Sequence, residues 1–256
     1  MRTRRNITAR AENSRPEGTA DPLPPDHCIC KGLGWYRVEV DLGHPWFGKA
    51  FPCICTLAQH EKRYSAWLWQ EARLPDGFRE ASMETFNVAH PDNARVKAAA
   101  VRFITGEIET PWLCLIGSYG NGKTHVLCAI VRSFAGRGVH AVYAYVPAML
   151  KEIQGAIDPT TATARYTEVF AAYQRSSVLA LDDLGVEQST EWSRATMEEL
   201  VDYRYRECLP TVISTNRDIS DLSPRIARRI GDRRMCTVVV NTAPAWNNRS
   251  TEKGRI

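Results

Sequence analysis

Gly117-Ser-Tyr-Gly-Asn-Gly-Lys-Thr124 follows a short apolar run, Trp112–Ile116, and opens a helical stretch, Lys123–Ala135. Strand, glycine-rich turn and helix, with the spacing G-x-x-x-x-G-K-[ST], make a phosphate-binding loop. Gly117, Gly120 and Gly122 let the backbone turn inward so that consecutive N–H groups face an anion. The candidate nucleotide-binding residues are therefore Gly117, Ser118, Tyr119, Gly120, Asn121, Gly122, Lys123, Thr124 and His125. The positive end of the following helix adds to this attraction. Lys123 is expected to reach the β- and γ-phosphates, and the Thr124 hydroxyl to ligand Mg²⁺. The competing reading is a glycine-rich turn that happens to precede a lysine; a strand before it and a helix after it weigh against that.

Such a loop needs a metal-holding acid on a neighbouring strand. Val178-Leu-Ala-Leu-Asp182-Asp183 supplies one at a strand's carboxyl end, where open α/β sheets place their ligands. Asp182 is expected to hold Mg²⁺ through water, and Asp183 to orient and deprotonate the attacking water. Alone, two acids could merely cap a buried strand; downstream of the loop, catalysis is favoured.

Outward from these motifs, the chain alternates. Residues 93–105 read as a helix, Val139–Val146 as extended, and Pro147 sits at a first helical position. Thr190 is placed to cap a helix through Tyr205, with Glu191 in its first turn. Thr211–Ser214 reads as a strand, Leu222–Ile230 as helix and Thr237–Val240 as a last strand. With Val178–Leu181, these make five short apolar strands separated by helices. The implied fold is α/β, a five-stranded parallel sheet with helices on both faces. Residues 1–26, proline- and arginine-rich, read as a disordered tail, 27–80 as a Cys-rich and helical module, and 81–92 as a linker. The α/β core that carries the phosphate loop is placed at 93–241 and a tail at 242–256.

The 256 residues carry 33 Lys+Arg against 29 Asp+Glu, a formal charge of +4 that permits nucleic-acid contact without arguing for it. No apolar run approaches the ~20 residues that cross a bilayer, and the basic start lacks an apolar h-region, so no membrane is expected and the chain is placed in the cytoplasm. Eight cysteines are then thiols or metal ligands rather than a disulfide frame.

Cys28-Ile-Cys30 and Cys53-Ile-Cys55 are two C-x-C pairs, with Gly32, Gly34 and Trp35 after the first. Paired cysteines on glycine-rich knuckles suggest a four-thiolate Zn²⁺ site. His27 or His44 could replace one thiolate; ordinary thiols or a redox pair are the alternatives. Cys114, Cys128, Cys208 and Cys236 fall in strand or helix patterns and read as core residues. Leu57 to Phe78 reads as helical, and its Trp67 and Trp69 as core more than as a docking surface. The helix Thr190–Cys208 carries Arg194, Arg204, Arg206, Tyr203 and Tyr205, a mixture suited either to single-stranded DNA or to a solvated face.

GSYGNGKTH, LALDDLGVE followed by TEW, DYRY, LPTVISTN and RIARRIGDR, in this order, resemble the DnaC/IstB-like branch of the AAA+ ATPases from about Phe86 to about Val240. The resemblance implies an ATP-driven homo-oligomer with active sites between subunits; its members load ring-shaped replicative helicases on DNA or help transposases. It makes Lys123 and Thr124 the Walker A residues and Asp182 and Asp183 the Walker B pair. Asn216 becomes the sensor of the attacking water, Arg229 the arginine finger reaching in trans, and Arg225 a second arginine at that interface. The alternative for Arg225, Arg228 and Arg229 is a solvated basic face. Asp183 stands where the broader pattern has Glu, and Arg228 where relatives often carry a small residue. Residues 241–256 are too few for the helical lid of larger AAA+ proteins, so a lid-borne sensor arginine is expected to be absent.

The resemblance thus implies an ATPase that, with ATP and Mg²⁺, loads a hexameric replicative DNA helicase onto single-stranded DNA, and the N-terminal cysteine knuckle suits the partner contact such loading needs. The nearest alternative is an IstB-type transposase helper. A small-molecule phosphotransferase lacks an insertion long enough for a substrate lid, and a non-hydrolysing adaptor stays open.

Overall fold

The computed structural model describes residues 27–157, 162–185 and 190–246. The expected tail at 1–26 and the residues after 246 lie outside them. The chain divides into two compact units, Met1–Trp67 and Leu68–Ile256.

In the first unit, β1 (Trp35–Tyr36) pairs antiparallel with β2 (Phe51–Pro52). Helix α1 (Ile54–Glu71) then starts directly off the second cysteine pair, as the Thr56 and Leu57 amides donate to the Cys53 carbonyl at 2.9 and 3.1 Å. Gly34 has φ +79, and a Cβ there would sit 2.7 Å from Thr56 Oγ1, so only glycine fits the turn that packs β1 on α1. Trp67 is 43% exposed and stacks on Tyr64 rather than entering a core.

In the second unit, α2 (Pro91–Thr105) begins at His90, whose side chain accepts from the Asp92 amide, and stops at left-handed Gly106. There follow β3 (Trp112–Gly117), α3 (Lys123–Gly136), β4 (Ala141–Tyr145), α4 (Val146–Gly155), α5 (Ala162–Arg175), β5 (Val178–Asp182), α6 (Glu191–Arg206), β6 (Thr211–Thr215), α7 (Pro224–Ile230) and β7 (Cys236–Asn241). All five strands β3–β7 are parallel, in the order β4-β5-β6-β3-β7. Period-two alternation splits the core. Leu113, Leu115, Tyr143, Ala180 and Val212 face α2 and α3, whereas Trp112, Cys114, Ile116, Leu179, Leu181 and Ile213 face α4–α7. Both faces are covered, which is why every strand from β3 to β6 reads as an apolar run.

Helix α5 has no counterpart in the sequence reading. Its Tyr166, Val169, Phe170 and Tyr173 follow the helical i, i+3, i+4, i+7 spacing, and Phe170 and Tyr173 are buried. Helix α6 does have its Thr190 cap, accepting from the Ser193 amide at 3.1 Å. Polar residues 81–92 hide three anchors, as Ala81, Met83 and Phe86 are buried in the core beside α3. Cys114, Cys128 and Cys236 are buried as expected, but Cys208 is exposed in a left-handed turn after α6. Trp69 is 42% exposed, whereas its neighbour Leu68 is buried. Arg204, read as one of a basic set, is fully buried: its guanidinium donates to the carbonyls of Tyr173, Gln174, Ser176 and Pro210 and to Thr211 Oγ1. Burial pulls its pKa down to about 9.

Candidate functional site

The sheet order puts β6 between the loop strand β3 and the acid-bearing strand β5, so the carboxyl ends of all three converge. Gly117 closes β3 against the end of β7. A Cβ on it would lie 2.2 Å from the Asn241 carbonyl oxygen, so no other residue fits without moving backbone. Gly122, at φ +92, turns the chain into α3. Beyond β7 the chain crosses the loop again: the Trp246 amide donates to the Gly120 carbonyl at 2.9 Å.

Lys123 folds back along this loop, donating to the Gly117 and Ser118 carbonyls at 2.8 Å each and to Asn121 Oδ1 at 3.1 Å. Asn121 in turn donates to the Asn241 carbonyl, and Asn241 to Asn93 Oδ1, so buried amides tie the loop to α2. Burial lowers the Lys123 pKa to about 8, with Asp183 and Asp182 opposing the shift.

Asp182 is buried at the end of β5 and receives three hydroxyls. Thr124 Oγ1 donates at 2.8 Å, Tyr143 OH from β4 at 2.7 Å, and Ser214 Oγ from β6 very closely. The Asp182 charge and burial hold the Tyr143 phenol well above its ordinary pKa, burial being the larger cause. The Thr124 hydroxyl donates its proton to Asp182, which leaves its oxygen lone pairs for a hard cation and the carboxylate to accept from a water bound to that cation. That donor set fits the ion.

Asp183 adopts φ +59, a left-handed conformation that acids tolerate better than most residues. Its amide donates to Ser214 Oγ at 3.0 Å, and its Oδ1 accepts from Asn216 Nδ2 at 2.8 Å. Burial, then the Asp182 charge, raises its pKa, which suits a group that takes a proton. Asn216 Oδ1 is buried and makes no hydrogen bond, so an acceptor is left beside the Asp183 carboxylate.

The structure therefore brings Lys123, Thr124, Asp182, Asp183 and Asn216 together. The His125 side chain turns away: its Nε2 meets the Ser82 carbonyl at 2.9 Å and Thr85 Oγ1 at 3.2 Å. One step along a helix rotates a side chain about 100°, so His125 leaves only its amide to the loop. Arg229 and Arg225 lie on α7, both paired with Asp202 of α6. Tyr143 and Ser214 are the site residues sequence reasoning missed; each stands near the carboxyl end of a strand beside β5, the one signal available for them.

In the first unit, the sulfurs of Cys28, Cys30, Cys53 and Cys55 all lie within 4.8 Å of one another. Cys28–Cys30, Cys30–Cys55 and Cys28–Cys53 are 3.6, 3.4 and 4.0 Å apart. Thiolates about 2.3 Å from a tetrahedral Zn²⁺ stand about 3.8 Å from one another, so the cluster fits a zinc knuckle. The Cys55 amide, pointing at the sulfur, is the main cause holding the Cys53 thiol down to about 6, while the Cys30 sulfur pushes Cys55 up to about 12. Among the described residues the group comprises these four cysteines and no histidine; His44 Nδ1 accepts from the Trp46 amide.

A glycine-rich loop on a parallel sheet of this order, with paired acids and an asparagine at the adjoining strand ends, defines an α/β ATP-binding domain of the AAA+ kind. The chain belongs to the family of IstB-like ATP binding proteins, which matches residues 56–241. It is 26% identical over 164 residues to the replicative helicase loader DnaI of Bacillus subtilis, covering 62% of this chain and 51% of that protein. It is 29% identical over 185 residues to Rv3427c of Mycobacterium tuberculosis, named for ATP binding and an insertion sequence, covering 69% and 68%. The chain thus spans about half the length of that DnaI. A crystal structure of DnaI superposes with a TM-score of 0.54 at 28% identity, covering 67% of this chain and 93% of that one.

Proposed function

We propose that this chain is an Mg²⁺-dependent ATPase that loads a hexameric replicative DNA helicase onto single-stranded DNA. The observation that carries it is the joining of a four-thiolate knuckle, suited to a dedicated partner contact, to an IstB-like ATP-binding domain in a chain similar to the helicase loader DnaI.

The loop amides and Lys123 bind the triphosphate, Lys123 exchanging its loop carbonyls for phosphate oxygens. Thr124, and Asp182 through water, would hold Mg²⁺, which would supply positive charge against the triphosphate. Asp183 takes the proton of the attacking water, and Asn216 holds that water with its unpaired Oδ1. Arg229 of a neighbouring copy meets the charge developing on the γ-phosphate, with Arg225 beside it. The protein works as a homo-oligomer in the cytoplasm, and hydrolysis releases the helicase.

The similarity to Rv3427c favours a second reading, an ATPase helper of a transposase. Pull-down against a replicative helicase and a transposase from the same genome decides between them. Retention of the transposase alone defeats the loader reading.

A further inference from the structure

On α6, Glu198, Asp202 and Tyr205 fall four and three positions apart and so share a face. Helix α7 presents Arg225 and Arg229, one turn apart, to that face. One carboxylate serves both arginines: Arg229 Nε donates to Asp202 Oδ1 at 2.8 Å, and Arg225 Nε lies 3.1 Å from Oδ2. The Arg229 guanidinium also lies over the Tyr205 ring, 4.3 Å from its centroid, while the Tyr205 hydroxyl is fixed by donating to Asp232 at 2.7 Å. Arg225 has a longer contact with Glu198, at 3.5 Å. Asp202 is 19% exposed and Arg225 60%, so the acid lies beneath and the cation on top.

Both guanidinium groups are gripped at Nε, the nitrogen nearest the stem. For Arg229 that grip fixes the plane of the fork and leaves its terminal amino groups for an acceptor on the far side, where a phosphate oxygen would bind; Arg225, whose Nη1 also reaches Glu198 at 3.5 Å, keeps Nη2 for the same use. Two cations one helical turn apart repel each other; the shared carboxylate holds them in register. We infer that Asp202 is a positioning residue for the trans-acting arginines, orienting Arg225 and Arg229 before a second copy of the chain docks its nucleotide against them. The inference rests on the reading of Arg229 as the group that reaches a neighbour, and extends it to a helix no nucleotide motif marks.

Asp202→Asn keeps the shape and removes the charge. Its expected effect is a loss of ATP turnover of about ten- to a hundred-fold, with affinity for a magnesium–ATP analogue unchanged. Unaltered turnover would overturn the inference. Mixing then locates the defect. Lys123→Ala cannot use its own nucleotide site but can lend its arginines, so excess Lys123→Ala should restore turnover to Asp202→Asn sites. Lack of restoration places Asp202 in its own protomer's chemistry and overturns the inference. Arg229→Ala, mixed the same way, tests the underlying reading: if it is impaired and rescued while Asp202→Asn is not, the arginine reading stands and Asp202 fails. If Arg229→Ala is unimpaired or cannot be rescued, the arginine reading itself fails. Should Asp202→Asn lower the melting temperature enough to obscure these results, Asp202→Glu keeps the charge while displacing it, and goes through the same mixing with the same criteria.

Discussion

Lys123 commits its three donors to its own loop, so a phosphate must displace three acceptors before the lysine can serve it. With the pKa lowered to about 8 by burial, half of the ammonium has lost its proton at that pH and most of it by pH 9, and binding must then take one up. Affinity for a magnesium–ATP analogue is expected to stay level up to about pH 7, fall about twofold by pH 8 and weaken about tenfold by pH 9. The linkage has the opposite sign for folding. The unfolded chain binds more protons between about 8 and 10.4, so this lysine lets stability rise with pH across that window. Isothermal titration across pH 7–9 checks the binding arm, and a flat profile contradicts it. Asp183→Asn keeps the Asn216 neighbourhood but removes the proton acceptor. It should bind the analogue as well as the parent while turnover drops at least about a hundredfold.

At the scale of elements, the contact of β3 with β7 is the tightest constraint. Gly117→Ala drives a methyl into the Asn241 carbonyl and the Asn121 amide, so it should abolish analogue binding and lower the melting temperature, as calorimetry would show. Arg204 joins α5, α6 and the start of β6 through neutral acceptors alone. Arg204→Lys can satisfy at most three of them, and destabilisation of about 2 kcal/mol is expected on denaturant unfolding. These elements also show what the sequence could reveal. Strands β3 to β6 stood out because both faces are covered, and the glycine loop because few backbones permit it. Helix α5 escaped because Thr160, Thr161, Thr163 and Thr167 dilute an otherwise regular stripe. Tyr143 and Ser214 became site residues only through the neighbour order β4-β5-β6, which a linear pattern does not contain. His125 went the other way: adjacency in the motif says nothing about which side of α3 a ring takes. The same holds for Arg204, whose charge suggested the surface, whereas seven residues on Thr211 and the nearby carbonyls wait for it inside.

For the whole molecule, the thiolate cluster and the nucleotide site belong to separate compact units. A segment as short as the cysteine-bearing one has too little core to hold its shape alone, so a metal there would carry much of its folding. A strong zinc chelator should therefore raise amide exchange from Cys28 to Thr56 while leaving that of β3, α3 and β5 unchanged. Metal analysis before and after chelation should show one zinc per chain removed. Equal exchange in both units, or no zinc at the outset, would defeat this expectation. Among the described residues, no helix is long and apolar enough to cross a membrane.

The amide of Trp246 rests on the Gly120 carbonyl, and its indole is 58% exposed. The chain thereby carries an optical gauge at the tip of its phosphate cradle. Any rearrangement of that peptide as Lys123 swings outward alters the surroundings of the fluorophore, so filling of the cradle can be followed as a change in emission, without a label, and a Trp246→Phe chain supplies the blank.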